Sequence, residues 1–262
     1  MTYTRHRSAS LAVMQDRARA LVSLCEGMFG RKIDMIDGCS LDAELIKAIL
    51  KAVIAHDTTL LRLFRAEIAK DVLELPYVMI HFREDRWDEG GWHRDDDDAA
   101  RRMHWVPLRV SGTAISFLPD VPLDLTRVVA RVARAAGIKK VTTPRLNADE
   151  YLTWPATTYH RGILNDGDAT RINYIVTVRP DADGERIAAQ TVALEDDMVV
   201  AYCRAAHAAL ADIAAGRAHD PAAIDPRCRP LFATSLHALS LKEPHLGIQA
   251  FSAAVADARR AA

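Results

Sequence analysis

Hydrophobic positions along the 262-residue chain change period twice, and the three stretches so marked predict different structure. Residues 8 to 71 are mostly helical in pattern. Leu45, Ile46, Ile49, Leu50, Val53 and Ile54 recur at helical spacing, as do Leu60, Leu61, Phe64 and Ile68. Ser40 is placed to cap a helix N-terminus, with Asp42 and Glu44 in the first turn, where the helix dipole favours carboxylates. The neighbourhoods of Gly30 and Gly38 read as breaks between helices.

From residue 75 to about 194 the pattern is that of short strands. Residues 77–83 follow Pro76 and are rich in strand formers. Residues 104–110 and 113–118 flank Ser111-Gly112, a hairpin-like turn. Pro107 has no N–H to give a sheet, so its strand lies at an edge or carries a bulge. Residues 150–154 and 171–178 are further strands, and several short strands separated by turns predict a sandwich or barrel. One helix interrupts them, beginning near Pro122, running through Val128, Val129 and Val132 and stopping at Gly137.

Residues 195 to 215 return to helix, with Met198, Val199, Tyr202, Leu210 and Ile213 on one broad face and Gly216 as a stop. The Ala-rich remainder reads as helical, with turns around Pro221, Pro226 and Pro230. The expected fold class is α+β, in a single domain spanning 1–262. A helical cover (1–74) precedes a strand core (75–194, with an inserted helix near 122–136), and C-terminal helices (195–262) follow it.

Composition narrows the function. Half the residues are hydrophobic, 26% are charged and the net charge is −1, so nothing attracts the chain to nucleic acid or an anionic membrane. No run of about 18 apolar residues occurs, and no secretory signal is expected after the basic first ten residues. Cys25, Cys39, Cys203 and Cys228 show no C-x-x-C spacing and read as reduced thiols of a cytoplasmic protein. A small-molecule substrate is the expected partner, and the oligomeric state stays open.

Candidate chemistry begins at Trp92-His-Arg-Asp95. In an extended segment, side chains two apart share a side, so His93 and Asp95 can approach one metal. His160 offers a second imidazole, and two imidazoles with one carboxylate suit non-haem Fe(II), leaving positions open for reactants. Arg171, eleven residues after His160, opens a strand whose one face carries Arg171, Asn173, Ile175 and Thr177. Asn165 to Asp168 read as a turn, and a hairpin of this length would return Arg171 toward the metal ligand. Its guanidinium would match a carboxylate there. Asn173 shares that face and is expected in the pocket. His81 and His104 are expected to be structural, Asp96, Asp97 and Asp98 to form a solvated acidic loop, and Arg161 to be exposed.

Three segments together resemble the Fe(II)/2-oxoglutarate-dependent dioxygenases, most closely their phytanoyl-CoA dioxygenase-like branch. They are Gly91-Trp-His-Arg-Asp95, the run from Trp105-Val-Pro-Leu to Ser116-Phe-Leu-Pro119, and His160-Arg-Gly-Ile-Leu-Asn165 followed by Arg171. The resemblance covers roughly residues 75 to 180. It implies a double-stranded β-helix (jelly-roll, cupin-like) core with the metal between two sheets. It implies His93, Asp95 and His160 as Fe(II) ligands and Arg171 as the holder of the far carboxylate of 2-oxoglutarate. Arg83, His81, Tyr77 and Trp105 are candidates for the metal-proximal carboxylate.

O2 would then oxidise a small substrate, such as an amino acid or a biosynthetic intermediate, with release of succinate and CO2. The carboxylate of Asp95 favours hydroxylation or desaturation over halogenation. Pro119-Asp-Val-Pro122 departs from the family's usual continuation, which leaves the substrate class open. Two alternatives stand beside this reading: a cupin-like metal oxygenase that does not use 2-oxoglutarate, which Arg171 argues against, and a non-catalytic ligand-binding barrel.

Overall fold

The helical spacing between residues 8 and 71 becomes three helices in a computed structural model, which describes residues 3–38, 40–82, 92–109, 115–118, 142–162, 169–180, 194–215, 217 and 225–242. Helix α1 (Ser10–Phe29) buries Leu11, Met14, Ala18, Leu21, Val22 and Cys25 along one stripe. It ends at Gly30, whose φ of 66° is left-handed, a conformation glycine adopts without steric cost. Helix α2 (Leu41–His56) starts where expected: Ser40 Oγ accepts from Ala43 N at 3.1 Å, with Asp42 and Glu44 in the first turn. It is buried almost all round, as suits a helix enclosed by other elements. Helix α3 (Thr58–Glu67) begins at Asp57, whose Oδ1 accepts from Leu60 N at 2.8 Å and whose Oδ2 accepts from Arg17 of α1 at 2.7 Å.

Seven described strands follow in two sheets. Strand β1 (Thr4–Arg7) lies in the basic N-terminus and pairs with β5 (Glu150–Pro155). The expected helical cover therefore begins with a strand, which no apolar alternation announces because β1 is largely exposed. β2 (Tyr77–His81), β3 (Arg102–Arg109) and β7 (Arg171–Val178) complete an antiparallel sheet of order β1-β5-β3-β7-β2. β4 (Ile115–Phe117) and β6 (His160–Gly162) form the second sheet. Isolated bridges extend it, His93 to His160 on one side and Phe117 to Thr142 on the other.

Two expectations are corrected by this pairing. Strands β3 and β4 do not form a hairpin across Ser111-Gly112, because they lie in different sheets. Nor do β6 and β7 form one between His160 and Arg171, for the same reason. Pro107 is in a central strand, between β5 and β7, and the register shifts between Pro107 and Arg109, so the bulge alternative holds and the edge alternative does not. Gln15 of α1 donates from Nε2 to the Pro107 carbonyl at 3.1 Å at that irregularity.

Alternation along the five-stranded sheet separates two cores. Val78, Ile80, Val106, Ile172, Tyr174 and Val176 face the helices and share their hydrophobic cluster. Met79, Met103, Trp105, Leu152 and Trp154 belong to a second cluster with Ile115 and Phe117 of β4, which places that cluster between the two sheets. His104 has the first parity and packs edge-on against Phe64 of α3, ring centroids 5.7 Å apart, so it is a structural histidine.

At the C-terminal end, α4 (Asp196–Ala214) packs on α1 and α2, and α5 (Arg229–Lys242) packs on α2. Cys25 of α1 and Cys203 of α4 are free buried thiols with sulfurs 3.4 Å apart, and Cys228 is also free and buried. Among the described residues no helix is long and apolar enough to cross a membrane. Arg83, Cys39, the 122–136 segment and the two turns at Ser111-Gly112 and 165–168 lie outside the described residues.

Candidate metal centre

His93 and His160 are brought together by backbone. Each donates its N–H to the other's carbonyl, at 3.0 and 2.9 Å, in a two-residue antiparallel bridge. Asp95 N donates to the Ala156 carbonyl at 3.0 Å, which fixes the carboxylate's segment against the turn leading from β5 into β6. The ligand atoms of His93, Asp95 and His160 consequently lie within 4.8 Å of one another, and among the described residues no other such histidine, cysteine and carboxylate group of three forms. Nε2 of His160 is 3.5 Å from Asp95 Oδ2, and Nε2 of His93 is 3.9 Å from Asp95 Oδ1. Two imidazole nitrogens and one carboxylate oxygen converging so can hold a metal ion.

Protonation at His160 suits that role. Its Nδ1 is 3.0 Å from the Thr158 carbonyl, which can only accept, so Nδ1 carries the hydrogen and Nε2 presents its lone pair. Burial pushes the imidazole below its ordinary pKa, against the opposing pull of the Asp95 charge and the Thr158 carbonyl, and this favours the neutral ligand form. Trp154 and Phe117 wall the ring, with centroids 5.1 and 6.2 Å away.

Beside the triad lies a cavity of about 240 Å³ between the sheets. Tyr77 and Met79 from β2, Met103 and Trp105 from β3, Trp154 from β5 and Ile175 from β7 line it with the three ligands. Trp105 is 1% exposed, and its Nε1 has no hydrogen-bond partner among the described residues. Asn173 lies two residues from Ile175 on the same face of β7 and is 1% exposed, and neither its Oδ1 nor its Nδ2 has a partner among the described residues. Arg171, also 1% exposed, stands two residues further along that face, in register with His81. The shared face of Arg171, Asn173 and Ile175 is therefore as expected, although the route from His160 is a crossing between sheets. Arg83 lies outside the described residues.

Some contributors carry no sequence signal. Asp34, in a 3-10 turn after α1, accepts from Thr170 N at 2.7 Å and pairs with Arg109, anchoring the start of β7 immediately before Arg171. Burial opposes its ionisation, but the Thr170 N–H and the Arg109 guanidinium outweigh it and hold the carboxyl below its usual range. The acidic run is folded rather than merely solvated: Asp96 pairs with Arg101, and Arg94 reaches Asp97 at 2.7 Å. Arg161 is not simply exposed, since its guanidinium lies 4.9 Å from the Trp92 ring centroid. Larger cavities of about 320 and 500 Å³ lie elsewhere, but their charged side chains include the ion pairs Lys32–Glu26 and Arg31–Asp42, and neither holds a ligand triad.

No protein-family model and no curated protein matches the chain. Among solved structures it is similar to the non-haem α-ketoglutarate-dependent carbocyclase SnoK from nogalamycin biosynthesis, at 16% identity and a TM-score of 0.41 over 72% of this chain and 86% of that one. It is also similar to AviO1 from Streptomyces viridochromogenes, at 13% identity and 0.43 over 70% and 91%. Iron-bound EctD from S. alaskensis gives 16% identity and 0.34 over 68% and 72%.

Proposed function

We propose that this protein is a non-haem Fe(II)/2-oxoglutarate-dependent dioxygenase that hydroxylates a small organic substrate, in a single domain whose core, residues 75–194, is a double-stranded β-helix. The observation that carries this reading is the convergence of His93, Asp95 and His160 at an inter-sheet cavity whose β7 wall leads to Asn173 and Arg171. The chain's alternation between sheets supports the core assignment. β2, the His93 segment, β3, β4, the Thr142 segment, β5, β6 and β7 fall in turn into the large sheet, the small, the large, two in the small, the large, the small and the large.

The donor set fits the ion: three ligand atoms from one side leave positions for a chelating oxo acid and for O2. Bound Fe(II) supplies the centre at which O2 is activated while 2-oxoglutarate is decarboxylated to succinate. The chain's own part is positional. His160 is held in one tautomer by the Thr158 carbonyl. Arg171 offers the fork that a carboxylate matches, and Asn173 and Trp105 offer buried donors between it and the triad. Trp154, Phe117 and Trp105 exclude water from the inner side of the ligands. The buried free thiols fit a reducing compartment such as the cytoplasm.

Anaerobic Fe(II) titration followed by 2-oxoglutarate titration tests the site. Succinate release with O2 consumption then tests the activity. His160→Ala is expected to lose both metal binding and turnover. Oxidation of substrate without succinate would replace this reading with an oxygenase that does not use 2-oxoglutarate, and absence of Fe(II) binding by the wild type would end it.

A further inference from the structure

Two thioethers share the cavity with the triad. Met79 of β2 and Met103 of β3 line it together with His93, Asp95 and His160, and in a space of about 240 Å³ no wall is far from the ligands. Backbone hydrogen bonds tie Met103 to the ligand segments. Asp95 N donates to the Ala156 carbonyl at 3.0 Å and Ala156 N to the Arg101 carbonyl at 2.9 Å, so the carboxylate's segment, the end of β5 and the start of β3 form one ladder. Met103 lies two residues along from Arg101, in register with Trp154, whose ring centroid is 5.1 Å from that of His160. Met79 is on the edge strand β2, separated from β3 by β7. Thr177 Oγ1, on the face of β7 that carries Ile175, donates to Met103 Sδ at 3.7 Å, so the sulfur itself is turned to the cavity side of the sheet.

A thioether is the softest side chain on that wall. Its sulfur lone pair accepts an oxygen atom with no C–H bond to break and no aromatic ring to interrupt. Trp105 and Trp154 are each 1% exposed and pack on one another, whereas Met103, at 6%, keeps some free surface. We infer that Met103 is a modification site: when 2-oxoglutarate and O2 are consumed at the proposed centre with no substrate bound, its sulfur takes the oxygen atom and becomes methionine sulfoxide. One atom of O2 enters the new carboxylate of succinate and the other forms the S=O bond. The bond between the carboxylate and keto carbons of 2-oxoglutarate breaks and CO2 leaves. 2-Oxoglutarate and the sulfur give up two electrons each, O2 takes up all four, and no proton is gained or lost. The inference rests on the oxygenase reading and goes beyond it, since the chain itself is oxidised. A sulfoxide turns part of an apolar wall polar, and methionine sulfoxide reductases reverse it.

Peptide mass spectrometry of the full chain, incubated in air with Fe(II), 2-oxoglutarate and catalase but no further substrate, tests it, with succinate measured alongside. Met35, 72% exposed, is the internal reference, because an oxidant diffusing in solution reaches it before Met103. Met103 is expected to gain about 16 Da at least about tenfold faster than Met35, and reductase treatment of its peptide should remove the added mass. Hydrogen peroxide added to the metal-free protein in EDTA should give the opposite order. Omitting 2-oxoglutarate, or replacing the ligand in His160→Ala, should abolish the Met103 mark. Binding of Fe(II) and 2-oxoglutarate is measured first, without O2. With both bound, the inference alone is overturned by the absence of Met103 sulfoxide, with or without succinate. It is equally overturned by a mark that forms without 2-oxoglutarate, that forms no faster than at Met35, that leads Met35 under peroxide too, or that resists the reductase. Failure of the wild type to bind Fe(II) or 2-oxoglutarate overturns the oxygenase reading instead.

Discussion

Replacing Asn173 by leucine separates a binding residue from a structural one by the sign of two effects. Asn173 is 1% exposed with both amide atoms unpartnered among the described residues, and leucine is close to it in size. A buried polar group left unsatisfied costs about 1–3 kcal/mol. Removing an acceptor and a donor in that state should therefore stabilise the ligand-free protein by about 2 kcal/mol at the low end of the range. For a chain of this size that raises the melting temperature by roughly 4–8 °C. The same substitution removes hydrogen bonds proposed to meet 2-oxoglutarate, so its affinity for the Mn(II)-loaded protein should fall about tenfold. Thermal unfolding in EDTA and anaerobic calorimetry measure the two. A lowered melting temperature with unchanged 2-oxoglutarate affinity would refute the reasoning and make Asn173 a structural residue.

Other substitutions test neighbouring claims. Arg171→Ala should weaken 2-oxoglutarate about tenfold to hundredfold by calorimetry, with Arg171→Lys recovering only part, because an ammonium cannot reproduce the bidentate fork. His104 has its pKa lowered by burial to about 4, against an ordinary value of 6.5. On acidification the unfolded chain therefore takes up this proton first. The stability tied to neutral His104 is full above pH 6.5 and falls by about 3 kcal/mol as the pH drops to 4. Urea unfolding at pH 7 and pH 4.5 should show a shallower pH dependence for His104→Leu. Asp57→Ala removes the cap of α3 and the partner of Arg17, and should lower stability by about 3 kcal/mol in the same assay at pH 7.

The parts legible in the sequence are those with local signals. β7 was readable because Ile172, Tyr174 and Val176 alternate with Arg171, Asn173 and Ile175, and burial on both faces of the sheet preserved that alternation. Ser40 was readable because capping is decided within three residues. Strand pairing was not. Ser111-Gly112 suggests a hairpin, yet β4 joins β6 because Ile115 and Phe117 bury against Met103, Trp105 and Trp154 across the gap between sheets. Such contacts are distant in sequence, and no local residue type encodes them. At the centre, the ligand types in order were enough to suggest the triad. The Thr158 carbonyl and the Asp34 clamp on Thr170 involve backbone atoms, which every residue possesses, so no residue identity could reveal them.

The reciprocal hydrogen bonds between His93 and His160 bear on how the proposed ion would be captured. Main-chain hydrogen bonds alone hold the two imidazole-bearing residues side by side, so on the proposed function little ordering would be left to oppose capture of the cation. A chelator should then strip the centre without unravelling the β-sandwich around it, and the emptied chain should reload on return of the ion without passing through an unfolded state.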